Sequence, residues 1–182
     1  MTLKELSERV AHYCDEQQVE EENFFYTAVN GVMLEIAERF PRVASVRYNK
    51  SYSDSQTAVN INELVSDFAS FSTPAVRSGG YSPKGHPTVD ARTGEIIFAG
   101  GTEGEFIIYY NKKESTVTRD TEEIELDSER LELLVLGVAY RLLTIDADYN
   151  AAAYVKAHYE EYAARLAERY SAPISFVDVN GW

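Results

Sequence analysis

The first forty residues follow the apolar period of an α-helix. Thr2 and Glu5 have the spacing of a capping box, which predicts that a first helix begins there and runs to about Cys14. A second helix is predicted from about Glu20 to Arg39, and a proline two residues later ends it. The positions predicted to form its buried stripe are Phe25, Ala28, Val29, Val32, Ile36 and Phe40.

In the middle of the chain the apolar period changes from 3.6 to 2, which is typical of strands. The segments that alternate in this way are Val46–Tyr52, Thr57–Ile61, Glu95–Phe98 and Glu105–Tyr110. The glycine-rich segment Ala99–Gly104 predicts a hairpin between the last two of these strands. The apolar segment Phe68–Val76 is broken by Pro74, and a final edge strand is predicted at Ile124 and Leu126.

Helical period returns after Asp127, which is predicted to cap a third helix. Its apolar face runs from Leu131 to Ile145, and Leu133 and Leu136 widen this face beyond one side of the helix. Such a helix either lies at the centre of the core or packs against another subunit. A fourth helix is predicted from the positions Ala152, Val155, Tyr159, Tyr162, Ala163, Leu166 and Tyr170.

These elements predict an α+β protein. We expect a helical bundle of about four helices, with a β-rich insertion between the second and third helices. The expected boundaries are residues 1–42 and 124–170 for the helical core, 43–123 for the insertion and 171–182 for a C-terminal arm.

Composition narrows the possible functions. The 182 residues include 17 Lys and Arg against 30 Asp and Glu, so the formal net charge is −13. A chain this acidic is poorly suited to hold nucleic-acid phosphates. No apolar run reaches the roughly 20 residues that span a membrane, and no signal peptide is seen, so synthesis and folding inside a cell are expected. Cys14 is the only cysteine, which excludes an intrachain disulfide.

Candidate catalytic and metal-binding residues are scattered along the sequence. His12, His86 and His158 fall on different elements, and none has a histidine or cysteine at metal-ligand spacing. Residues 146–150 begin like an EF-hand loop, but alanines stand where that loop requires its glycine and its glutamate. No P-loop, dinucleotide motif or nucleophile elbow is present. We therefore expect a protein that is not an enzyme and binds no metal or cofactor.

Two features suggest a protein partner instead. The C-terminal segment ends in apolar and aromatic residues, which either fold back on the chain's own helices or dock on another protein. The fourth helix carries several tyrosines, including Tyr154 and Tyr159, which suit an intrachain core or an interface equally well.

Two blocks of the chain carry a resemblance to a known family. The first block comprises Leu3–Leu6, Phe24–Asn30 and Ile36–Pro41. The second comprises Gly104–Lys113, Ile124–Leu126, Asp127–Leu143 and Tyr154–Arg169. The order of these segments and their pattern of helices and strands resemble the head–tail connector, or adaptor, proteins of tailed bacteriophages.

The resemblance implies a virion structural protein that binds the portal as a homo-oligomeric ring, commonly a dodecamer, and extends the DNA channel towards the tail. Expected partners are the portal protein, further copies of the chain and the next connector or tail protein. DNA would pass without specific binding, because acidic walls repel phosphates. The expected location is the neck of the virion, after synthesis in the host cytoplasm, with no membrane involved.

Particular residues follow from this interpretation. The hypothetical portal-binding residues are Ile174, Phe176, Val177, Val179 and Trp182. The hypothetical subunit-interface residues are Leu133, Leu136, Tyr154 and Tyr159. The β-rich region, above all residues 96–110, would contact neighbouring subunits or the next tail component.

Two alternatives remain open at this point. One is another virion part, such as a tail-completion or capsid-associated protein. The other is a small enzyme with a site in the β-rich region around His86, Asp90 and Arg92.

Overall fold

The computed structural model describes residues 1–14, 22–78, 87–118, 121 and 123–171. Within these residues, the helices are α1 (Leu3–Val10), α2 (Glu22–Arg39), α3 (Ser128–Ile145) and α4 (Tyr149–Ser171). The strands found there are β1 (Val43–Lys50), β2 (Thr57–Asn60), β3 (Phe68–Ser78), β4 (Thr88–Asp90), β5 (Glu95–Phe98) and β6 (Gly104–Lys112). The chain divides into two compact units, a helical unit built from the described residues of 1–40 and 115–182, and a β unit of residues 41–114.

The predicted fold class, a four-helix bundle with an insertion between its second and third helices, is wrong. The helices lie at the N- and C-terminal ends of the chain, and the strands between them form two three-stranded antiparallel sheets. The helices do not form a regular bundle because α1 spans only eight residues, about two turns. Instead α3 is central, and α1, α2 and α4 each pack against it.

Helix boundaries follow their capping residues. The Thr2 hydroxyl accepts a hydrogen bond from the Glu5 amide at 3.1 Å, and the Glu5 carboxylate accepts one from the Thr2 amide at 2.8 Å, as the capping box predicts. The first helix nevertheless ends at Val10 rather than near Cys14, because the chain turns there. The predicted cap of α3 is confirmed, since Asp127 accepts from the Arg130 amide at 2.9 Å.

The core of the helical unit surrounds α3. The whole predicted stripe of α2, from Phe25 to Phe40, is buried, with at most 5% exposure for any member. The apolar face of α3 meets this stripe on one side and α4 on another. The broad apolar face of α3 is therefore covered by helices of the same chain. Of the two roles considered for this helix, the structure supports a place at the centre of the core.

The β unit has its own small core between two sheets. One sheet has the strand order β1–β6–β3 and the other has the order β2–β5–β4, with every neighbouring pair antiparallel. The fully buried side chains are Ile61, Ile96, Phe98, Phe106 and Ile108. Strand β3 continues through Pro74, and the pairing register shifts between Phe71 and Val76.

The predicted hairpin at Ala99–Gly104 is wrong, because β5 and β6 belong to different sheets. Gly101 and Gly104 adopt positive φ angles of 78° and 128°, which let the segment turn from one sheet into the other. The Gly101 amide donates to the Ser53 carbonyl at 2.7 Å and fixes this crossing.

The predicted edge strand at Ile124 and Leu126 does not form. Instead the Ile124 amide donates to the Met1 carbonyl at 2.8 Å, and Glu123 makes a single antiparallel bridge with Thr2. This contact ties the start of α1 to the segment that leads into α3.

Candidate docking site

A groove opens on the surface of the helical unit, and we call it the aromatic groove. Helix α3 contributes residues at every fourth position, and α4 contributes one face that extends over about three turns, from Tyr154 to Arg165. The lining residues are Tyr13, Ser128, Glu132, Leu136, Tyr154, His158, Tyr162 and Arg165. The groove has a volume of about 510 Å³ and is open to solvent, so it is large enough to accommodate a few side chains of a partner.

The rings of the aromatic groove are held by contacts with one another and with cations. Tyr154 and His158 lie edge to face, with ring centroids 4.5 Å apart. The Arg165 guanidinium lies 5.8 Å from the centre of the Tyr162 ring and 3.3 Å from the Glu161 carboxylate. Both partners of this ion pair are largely exposed, so a docking acidic group can compete for Arg165 at small cost.

The groove has an apolar floor and a polar rim. Leu136 is 5% exposed and lies beneath the tyrosines, whereas Tyr154 is 66% exposed. Glu132 pairs with Arg9 of α1 and so supplies no free carboxylate to the groove. Aromatic rings around an apolar base with an adjacent guanidinium favour an apolar side chain flanked by an acidic one.

A second surface is found on α2, on the side opposite its buried stripe. Phe24 and Leu34 are 49% and 62% exposed, and Glu38 follows one turn after Leu34. With 100° of rotation per residue, these three side chains fall within an arc of about 80°. We call this surface the α2 ridge. Exposed apolar side chains on one helix face can contribute to a protein–protein interface.

A network of charged and hydroxyl groups joins α2, α3 and α4. The Glu35 carboxylate accepts from Arg141 at 2.9 Å and from the Tyr159 hydroxyl at 2.9 Å. Arg39 lies 3.3 Å from Glu160 and 3.8 Å from Glu35. Burial, together with the hydrogen bond to the Glu35 carboxylate, raises the pKa of Tyr159. The Tyr159 phenol therefore stays protonated as a fixed donor, and the network links the helices.

A smaller polar cluster lies in the β unit. Asp67 accepts from the Tyr110 hydroxyl at 2.9 Å and pairs with Lys112 at 3.1 Å. The hydrogen bond from Tyr110, supported by Lys112, lowers the pKa of Asp67. Burial and the same hydrogen bond raise the pKa of Tyr110. These groups connect β6 to the segment before β3.

The structure separates the four residues predicted to face another subunit. Leu133, Leu136 and Tyr159 are 0%, 5% and 1% exposed and pack within the core of the helical unit. Tyr154 is on the surface and lines the aromatic groove. A role in a subunit interface therefore stays a prediction. Of the four residues, Tyr154 lies on an exposed surface that could form such an interface, and Leu136 contacts the groove only at its floor.

The other predicted sites are placed as follows. The portal-binding candidates Ile174, Phe176, Val177, Val179 and Trp182 lie outside the described residues, and so does His86. Asp90 ends β4 and Arg92 lies in the tight turn that leads to β5, where the Asp90 carboxylate accepts from the Arg92 amide at 2.9 Å. The Arg92 side chain is 93% exposed, so these two residues do not enclose a pocket.

The described part of the chain also shows how possible metal ligands and Cys14 are placed. Within it, no three His, Cys, Asp or Glu side chains are grouped so that they could hold a metal ion. Cys14 is buried, and its thiol lies 3.3 Å from the Val10 carbonyl oxygen. The EF-hand-like segment is instead a turn in which Asp148 accepts from the Ala151 amide at 3.2 Å and caps α4.

Sequence reasoning missed Tyr13, Phe24 and Leu34 as surface residues. Phe24 and Leu34 fall outside the apolar stripe of α2, and this mismatch was a signal that could have identified the α2 ridge. No comparable signal marks Tyr13, which reaches the aromatic groove only because the chain turns after α1.

Comparison with known proteins does not assign the chain to a family. No protein-family model and no curated protein sequence matches it. In the described residues, no helix combines the length and the apolar character that crossing a membrane requires.

Proposed function

We propose that this chain is a structural protein of a tailed-bacteriophage virion, a head–tail connector that binds the portal as a ring and extends the DNA channel towards the tail. The observation that carries this proposal is the uncovered apolar surface of the helical unit, which comprises the aromatic groove and the α2 ridge. Such surface is typical of proteins that work by binding other proteins.

The charge of the chain supports the same function. With a net charge of −13, the protein repels the phosphate backbone and allows DNA to pass through a channel without being held. An oligomeric ring multiplies this charge and strengthens the repulsion.

The division into two units also suits a connector, which must contact components above and below it. The helical unit carries the surfaces for self-association. The β unit buries Ile96, Phe98, Phe106 and Ile108 of the region expected to contact neighbours, so its contacts would be made by the outward residues of the same strands. The segment 171–182 is proposed to contact the portal.

The test is negative-stain electron microscopy of the purified chain, alone and mixed with the portal protein encoded by the same genome. We expect rings, or added density at one end of the portal. A variant that lacks residues 171–182 should keep its helical circular dichroism and lose portal binding. A full-length chain that stays monomeric and leaves the portal undecorated would refute the connector function.

A further inference from the structure

We propose that the α2 ridge of one copy docks in the aromatic groove of a neighbouring copy, and that this contact is the repeating interface of the ring. That the chain forms a ring rests on the proposed function. Which surfaces meet in that ring is inferred from the geometry of the ridge and the groove. Its occupant is a second copy of this chain.

The two surfaces match in length. Phe24 and Leu34 are ten residues apart on α2, which corresponds to about 15 Å along a helix. Tyr154 and Arg165 are eleven residues apart on α4, which corresponds to roughly 16 Å. A ridge helix that lies along α4 therefore brings one apolar side chain to each end of the groove.

The two surfaces also match in chemistry. Phe24 and Leu34 offer exposed apolar side chains, and the groove offers tyrosine rings above the apolar floor of Leu136. Glu38 follows Leu34 by one turn, just as Arg165 follows Tyr162 by one turn. When Leu34 lies against Tyr162, the Glu38 carboxylate reaches the Arg165 guanidinium, whose existing ion pair with Glu161 is exposed.

The position of the surfaces explains why the contact builds a ring. The ridge belongs to α2, whereas the groove is lined from α3, α4 and the turn after α1. Each copy therefore keeps a free ridge after its groove is filled. A contact between two different surfaces of identical subunits is heterologous, and it closes into a ring when the rotation between neighbours divides a full turn.

The closing experiment uses complementary charge reversals at the two exposed positions, Glu38→Arg and Arg165→Glu. Either variant alone sets like charges against each other at every interface, and we expect its self-association to weaken at least tenfold in sedimentation velocity. In an equimolar mixture, each interface of an alternating ring pairs opposite charges, so association should return to within about threefold of the wild type.

Apolar variants provide a second, independent measurement. The double substitution Phe24→Ser with Leu34→Ser should weaken association at least tenfold. Its matched control is Ile145→Ser, an apolar residue of α3 with 53% exposure that belongs to neither surface. Circular dichroism shows whether each variant folds. If the apolar double variant does not fold, the charge-reversal mixture alone tests the interface.

The outcomes separate this interface from the connector function. Ridge and charge-reversal variants that associate like the wild type overturn the interface, and portal binding by the same samples leaves the connector function standing. Rescue in the mixture, combined with no portal binding by the wild type, supports the interface and refutes the connector function. A chain that is monomeric both free and with the portal overturns both.

Discussion

Replacing Gly137 with alanine tests whether α3 is as closely packed against its neighbours as the fold requires. A methyl group at Gly137 would lie 2.6 Å from a Val32 methyl carbon of α2 and 3.2 Å from a Tyr159 ring carbon of α4. Carbon atoms in contact are normally about 3.5–4.0 Å apart, so the added methyl group overlaps Val32 by roughly 1 Å. Glycine at this position is what allows α2 and α3 to approach each other.

The neighbours cannot move aside without cost. Val32 is 0% exposed and is branched at its β-carbon, which leaves it a single favoured rotamer in a helix. Tyr159 is 1% exposed and is held by its hydrogen bond to Glu35. Overpacking costs about 1–3 kcal/mol, and because both neighbours are buried and held in place we expect the upper part of that range, about 2–3 kcal/mol. The higher helix propensity of alanine offsets about 1 kcal/mol of this cost. We expect a net loss of about 1–2 kcal/mol in the free energy of unfolding.

Gly31→Ala is the matched control, because it makes the same substitution on the neighbouring helix. Its methyl group would meet the end of the flexible Arg141 side chain, which can swing away. The cost is then at most part of the ion pair with Glu35, whose two side chains are each 31% exposed, and the gain in helix propensity is about 1 kcal/mol. We expect this variant to be as stable as the wild type or slightly more stable.

Urea denaturation followed by far-ultraviolet circular dichroism measures both variants. A Gly137→Ala protein as stable as the wild type would contradict the close approach of α2 and α3. Equal losses in the two variants would contradict the distinction between a rigid core neighbour and a flexible surface one.

Two further predictions concern polar contacts within each unit. The Asn30 side chain accepts a hydrogen bond from the Val117 amide at 2.7 Å and donates one to the Val117 carbonyl at 2.9 Å. Asn30→Ala should therefore lower the free energy of unfolding, measured by urea denaturation, by about 2 kcal/mol. A loss below about 0.5 kcal/mol would refute this prediction. Because the pKa of Asp67 is lower in the folded state than in the unfolded state, ionised Asp67 stabilises the fold. This contribution is full at pH values above the unfolded-state pKa of about 4, and it is lost as the pH falls from there through the lower folded-state pKa. Tyr110→Phe should flatten the pH dependence of the urea midpoint in this acid range, and an unchanged slope would show that another carboxylate is responsible.

Helix interiors could be predicted from the sequence because their information is local. The burial of the Phe25–Phe40 stripe follows from a 3.6-residue period that any window of the sequence contains. The caps at Thr2 and Asp127 follow from pairs of residues three apart. In each case the interacting groups are neighbours in the chain, so a pattern in the sequence is sufficient to place them.

The sheets could not be predicted, because strand pairing is a long-range choice. The segment Ala99–Gly104 has the composition of a hairpin, but β6 pairs with β1, so that Val46 lies opposite Ile108. An alternating pattern identifies a strand and its buried face, but it does not show which other strand pairs with it. The aromatic groove was out of reach for the same reason, since it joins Tyr13, Leu136 and Tyr154 from three separate segments.

The outcome for the predicted interface residues shows where a partner surface should be sought. Leu133 and Tyr159 belong to conspicuous apolar patterns, and for that reason the chain itself covers them, at 0% and 1% exposure. Phe24 and Leu34 break the pattern of their helix and remain exposed after the core is complete. Apolar residues that fit the helical period are used in folding, so the residues left for binding a partner are those that folding does not require.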